Sequence, residues 1–198
     1  ICKAHPKVKN IIIRNEWDKN RERAEWVNRQ IALMCAKQDA KIDDWFVYFD
    51  ADEFIYDFSL KDLQGKEEGI ICKLFDVYIT PEDVNKDWRE REWIGAEYRP
   101  ILFFFKNSPY LKYHLPDQRE VTIDIKAKVK IKGTIKHFGK GLSVKHWEDT
   151  CDYYINYWPK YAKKWQARKG KAIHTTSDFN NPLIKWEDRY KKGFLLNI

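Results

Sequence analysis

Hydrophobic and polar positions along the chain fall into stretches of different period. Residues 44–58, DWFVYFDADEFIYDF, form an aromatic and apolar run with Asp50, Asp52 and Glu53 crowded at its end. A run without alternation predicts a strand covered on both faces, as in a parallel α/β sheet. GIICKLFDVYIT (69–80) and YRPILFFFK (98–106) predict two more buried strands. VKNIIIRNE (Val8 to Glu16) is β-branched and predicts a short strand. Between it and the first run, DKNRERAEWVNRQIALMCAKQD sets Ala24, Val27, Ile31 and Met34 at helical spacing, with Asp18 as N-cap.

VTIDIKAKVKIKGTIKHF (121–138) behaves differently. Val121, Ile123, Ile125, Ala127, Val129 and Ile131 alternate with polar residues, mostly lysines, which predicts a strand with one buried and one wet face. Gly133 marks a turn or bulge within it. From about His146 the pattern is helical, broken or kinked at Pro159, and from about Ala172 no period is clear. The order of elements predicts one α/β domain over residues 1–198, with 146–198 as a helical and irregular C-terminal extension.

Composition narrows the class. The 198 residues are 43% hydrophobic and 34% charged, a balance that suits a globular protein. No apolar run reaches about 18 residues, so no transmembrane helix is expected. Cys2, Cys35, Cys72 and Cys151 form no C-x-x-C pair. That argues against a zinc knuckle and for a reducing, cytoplasmic setting. A net charge of +7 favours anionic partners, the plain alternative being a lysine-rich solvated surface.

Asp50 and Asp52 stand two apart, so an extended backbone points both to one side. Two carboxylates held that way form a half-site for Mg²⁺ or Mn²⁺. Their place at a strand's carboxyl end is where open α/β sheets bind ligands. An EF-hand loop is excluded, because Phe54 and Ile55 occupy its fifth and sixth positions. A D-x-D alone is a weak motif; a solvated strand end paired with lysines would look the same.

The surrounding segments make it more specific. DDWFVYFDADEF, YRPILFFFKNSPYLKYHLPDQRE and GTIKHFG, in that order and after the preceding helix, resemble family 2-like glycosyltransferases of GT-A fold over about residues 7–145. The resemblance implies a mixed central sheet flanked by helices. It implies that Asp50 and Asp52 bind the metal and nucleotide, with His137 as third ligand. Imidazole suits Mn²⁺ better than Mg²⁺. It also implies a nucleotide-diphosphate sugar donor, a saccharide or other hydroxyl acceptor, inverting transfer and no stable nucleic-acid partner. The base would be Glu120, with Asp117 as alternate; otherwise both belong to a charged loop with Arg119. Glu148 and Asp149 resemble the acidic pair that carries the base in other members. Lys136, Lys140 and Lys145 are candidates to meet the leaving group's charge.

Two departures stand out. The family's helix commonly carries Arg-Asn, whereas here Asn28 follows Val27, leaving Arg21 and Arg23 as substitutes one turn earlier. The chain also enters at HPKVKNIII, past the family's first strand-helix-strand unit, so that unit is expected to be missing.

WEDTCDYYINYWPKYAKKWQARKGK is rich in aromatics and bases, with Tyr154, Trp158, Tyr161 and Trp165 on one helical face. Such a stripe suits packing on the sheet, sugar stacking or peripheral membrane contact. Two rival functions share these features. One is a metal-dependent nuclease or phosphodiesterase using the same acids; the other is a non-enzymatic basic module that binds nucleic acid.

Overall fold

The structure, a computed structural model, describes residues 6–8, 11–13, 20–115, 119–191 and 194–195. The elements are α1 (Arg21–Asp39), β1 (Trp45–Val47), β2 (Glu53–Tyr56), β3 (Gly69–Asp76), β4 (Trp93–Gly95), β5 (Glu97–Lys106), β6 (Val129–His137), α2 (Val144–Tyr157), α3 (Pro159–Gln166), β7 (Leu183–Lys185) and β8 (Phe194–Leu195). The main sheet runs β1-β5-β3-β6-β2, with β8 also pairing β5, while β4 and β7 form a separate pair. β5 is antiparallel to β1 and β3, β3 is parallel to β6, and β2 is antiparallel to β6. The protein is therefore mixed α/β.

The sheet is strongly curled, for a reason that lies in the chain. β1 and β2 are its two opposite edges, yet they are adjacent in sequence. Tyr48 N–H donates to Phe103 O and Phe138 N–H donates to Asp52 O, so only Phe49–Ala51 remain to cross between the edges. Four Cα steps reach about 14 Å at most, whereas the edges of a flat five-stranded sheet lie about 19 Å apart. The sheet closes to a half-barrel, and residues 48–52 strap its mouth.

Ile70, Leu74, Phe103 and Ile135 are buried in the core of the half-barrel. α1 packs on the sheet through Leu33, which meets Phe105, Leu111, Tyr113 and Val121. Trp26 Nε1 (2.8 Å) and Gln30 Nε2 (2.7 Å) both donate to Tyr113 O, and Lys37 Nζ donates to Ser108 O. The sheet-facing side thus runs Trp26–Gln30–Leu33–Lys37, of which Leu33 alone is buried; Ala24 is buried as expected, whereas Met34, expected inside, is 65% exposed. α1 is capped by Asn20, whose side chain accepts from Arg23 N–H. Asp18, the expected cap, lies outside the described residues.

Other expectations change as well. Val8 and 11–13 form no strand, and the rest of the Val8–Glu16 stretch lies outside the described residues. The run from Asp44 is two short edge strands rather than one central strand, because each half finds its partner on a different edge. In 121–138 only Val129–His137 is strand. Asp124 turns the chain earlier: its carboxylate accepts from Lys126 N–H and its carbonyl from Ala127 N–H. That leaves Ile125 98% exposed, and Val129 and Ile131 are exposed too. β3 and β5 form as expected, and Gly133, at φ 84, falls where the β3–β6 register shifts. Pro159 opens α3 at its first turn, so the expected break divides two helices.

Candidate functional site

The ends of three neighbouring strands set the site. His137 closes β6, between Glu53 on β2 and Asp76 on β3, which are its register partners. Its Nδ1 lies 2.6 Å from Asp76 Oδ1 and its Nε2 3.5 Å from Asp52 Oδ2. Burial alone would depress the imidazole's pKa. The hydrogen bonds and charges of Asp52 and Asp76 outweigh it and raise the group to about 9. The two carboxylates thus favour the imidazolium form of His137. In turn, despite its own burial, Asp52 is held below the usual carboxylate range by His137. Burial opposes the charge of Asp76 too, yet Lys140, Arg99 and His137 hold it well below that range.

Gly139 follows from this packing. A Cβ there would lie 2.8 Å from Cε1 and Nε2 of His137 and 3.1 Å from Asp52 Oδ2. Only a hydrogen leaves room for the ring to face the carboxylate.

The strap has its own keystone. Glu53 is buried; its Oε2 accepts from Asp50 N–H at 2.9 Å, and its other oxygen pairs with Arg119. Arg119 also lies 3.7 Å from Asp50 Oδ2. Asp50 Oδ1 accepts from Tyr48 OH at 3.2 Å, and Tyr48 OH accepts in turn from Arg29 Nε. Glu53 thus shapes the turn, while the Asp50 side chain stays 47% exposed.

Asp50, Asp52 and His137 line one cleft. Its larger lobe, about 860 Å³, runs between the strand ends and the α2–α3 pair. A second lobe of about 740 Å³ reaches toward α1 past Arg29 and Arg119. Asp50, Arg99, His137, Tyr154 and Tyr161 border both lobes. The three expected ligands share a cleft without converging: Asp52 faces His137, and Asp50 faces Tyr48 and Arg119. Among the described residues no group of three or more His, Cys, Asp or Glu side chains is gathered into a metal cluster.

Of the expected bases, Asp117 lies outside the described residues. Glu120 borders neither lobe, and burial raises its pKa against the opposing pull of the Leu102 backbone and Arg119. Glu148 accepts from Gly170 N–H and Asp149 pairs with Lys145, both away from the lobes. Of the three lysines, Lys140 alone borders the cleft, between Asp76 (2.7 Å) and Asp178 (2.6 Å). Lys136 is buried and donates to Arg91 O, with the Phe138 and Trp186 rings beside it.

Arg21 lies over the Tyr157 ring, and neither it nor Arg23 borders the cleft. Arg29, directly after Asn28, does border it. Sequence reasoning passed over Arg29, although a search for Arg-Asn in either order would have met it. Asp76 and Asp178 were also missed, since neither stands in a motif. No family model, curated protein or solved structure matches the chain.

Proposed function

We propose that the protein is a metal-dependent glycosyltransferase, transferring a sugar from a nucleotide-diphosphate donor to a hydroxyl acceptor with inversion, on a GT-A-like sheet. One observation carries this reading. The acidic turn 50–53, Arg119 and the His137–Gly139 segment, far apart in sequence, meet at one cleft. They come from the three segments on which the family resemblance rests.

The donor types, two carboxylates and an imidazole, are ones a divalent cation takes, although Asp50, Asp52 and His137 now face other partners and would have to turn onto the ion. Asp50 offers a half-exposed carboxylate to the cleft, Asp52 a second, and His137 a nitrogen once its proton leaves. Mn²⁺, or Mg²⁺, bound by these groups would neutralise charge on the diphosphate leaving group. The chain's own cations add to that. Arg99, Lys140 and Arg119 border the same cleft from three different segments, each also paired with a carboxylate that fixes its position, so their donors are in place before a leaving group arrives. Glu53 holds the Asp50 backbone, Tyr48 orients its carboxylate, and Gly139 lets His137 approach Asp52.

The test is direct binding. Calorimetric titration of UDP-, GDP- and dTDP-sugars with Mn²⁺ should find a donor, and Asp52→Ala should abolish its Mn²⁺-dependent binding. A protein that keeps its fold and binds no nucleotide diphosphate sugar under those conditions would refute the proposal.

A further inference from the structure

The larger lobe has a lining of unusual composition. Its described apolar side chains are all aromatic: Tyr153, Tyr154, Tyr161, Trp165 and Phe179, with no aliphatic residue among them. Between the rings stand His146, Thr150, Lys164 and Arg168, all hydrogen-bonding groups. A pocket for an acyl chain or an apolar peptide side chain would carry aliphatic walls. Flat rings interleaved with polar donors suit a pyranose, which offers a face of C–H bonds and an edge of hydroxyls.

One ring, Phe179, is presented rather than packed, and a second, Tyr161, is partly exposed. Tyr154 and Trp165 stack on each other at 4.4 Å and 4°, which takes up one face of each. Tyr161, at the junction of the two lobes, is 37% exposed; its ring lies near those of Tyr154 and Trp158, with Lys160 Nζ 5.0 Å from its centroid. Phe179 is 48% exposed and makes no ring contact with another aromatic among the described residues.

Phe179 sits on a tightly built turn. Ser177 Oγ accepts from Phe179 N–H (3.2 Å) and Asn181 N–H (3.3 Å), and Asn180 adopts φ 60. Asn181 Nδ2 donates to the buried Glu97, and Asp178 N–H donates to Tyr78 OH. The Asp178 carboxylate is pinned by Lys140 and Arg168 at 2.6 and 2.8 Å. A turn anchored at so many points holds a large apolar ring in water at the rim of a cleft. Lys164 adds a donor that makes no hydrogen bond or ion pair among the described residues.

We propose that the aromatic wall of this lobe is the acceptor subsite and takes a saccharide, with Phe179 and the exposed side of Tyr161 as stacking platforms and Lys164 reaching the ring hydroxyls. The assignment rests on the glycosyl-transfer reading for its place in catalysis, but its binding chemistry can be read without donor or metal.

The probes are tetrasaccharides of β-1,4-linked glucose, β-1,4-linked N-acetylglucosamine and α-1,4-linked galacturonate, titrated into metal-free protein. Saturation-transfer NMR and tryptophan fluorescence supply the readouts. At least one probe should bind, with Phe179→Ala and Tyr161→Ala each weakening it about five- to tenfold. Phe179→Leu, which keeps apolar bulk but removes the ring, should weaken it as much as Phe179→Ala. Circular dichroism confirms that each variant is folded. If no probe binds, or if binding is equal in wild type and ring variants, the subsite is refuted whether or not the protein binds a sugar nucleotide. If a probe binds at these rings while no sugar nucleotide binds with Mn²⁺, the subsite stands and the transferase assignment fails.

Discussion

The Arg119 guanidinium closes on the carboxylate of Glu53 across 66 residues of sequence. The second oxygen of that carboxylate holds the Asp50 amide. The pair therefore joins the loop after β5 to the strap between the sheet's edges. Its two members differ in exposure: the Glu53 side chain is wholly buried and that of Arg119 is 23% exposed.

Glu53→Ala would leave Arg119 without its main partner and free the Asp50 amide. A loss of about 3 kcal/mol of stability is expected, in the range for breaking a buried pair from one side. In a urea-denaturation double-mutant cycle with Arg119→Met, coupling of at least about 1 kcal/mol should appear. Strict additivity would mean that the contact contributes nothing.

Gly139→Ala puts a methyl group where the His137 ring now lies. The ring should turn away from Asp52, visible as shifted imidazole resonances in ¹H–¹⁵N spectra. Mn²⁺-dependent sugar-nucleotide binding should fall about tenfold or more. An unchanged imidazole spectrum would show that the ring has slack there.

Asp57 contributes to the acid limb of stability, beside Asp76 and Asp52. Although burial opposes its ionisation, hydrogen bonds from Thr134, Tyr190 and Arg189 lower its pKa to about 2. A folded pKa below the ordinary 3.8 means its contribution is complete above about pH 4 and is lost as pH falls from there toward 2. Asp57→Asn, which tolerates the left-handed φ 57, should flatten the loss of urea stability between pH 5 and 2. Parallel curves for the two proteins would remove Asp57 from the account.

Glu120→Gln tests the base implied by the family resemblance. With its carboxylate outside both lobes, turnover should change by no more than a few-fold. A fall of a hundredfold or more, with donor binding intact, would make Glu120 the base after all.

Residues with short-range causes were legible from sequence. Gly69–Asp76 and Glu97–Lys106 are apolar enough to be buried strands in any arrangement, Gly133 had to relieve a backbone bend, and Pro159 had to open or break a helix. DWFVYFDADEF misled because hydropathy records burial and not partnership. β1 pairs with β5 and β2 with β6, and nothing local distinguishes one strand from two halves on opposite edges. The alternation in 121–131 likewise could not reveal that Asp124 diverts the chain before β6. At the site, Asp50, Asp52 and His137 were legible from spacing and resemblance. Asp76, Asp178 and Arg29 owe their places to register and helix phase, which emerge only from the assembled sheet.

The strap between β1 and β2 also bears on how the protein folds. Trp45–Val47 waits for Phe104–Lys106, and Glu53–Tyr56 for Thr134–His137, so the turn between them has no lasting partner until both distant strands have docked. Asp50 and Asp52 should then be among the last groups to reach their native positions and among the first to leave them. Hydrogen exchange at Glu53 and Phe138 amides would follow the closing of the whole half-barrel rather than the fraying of a loop.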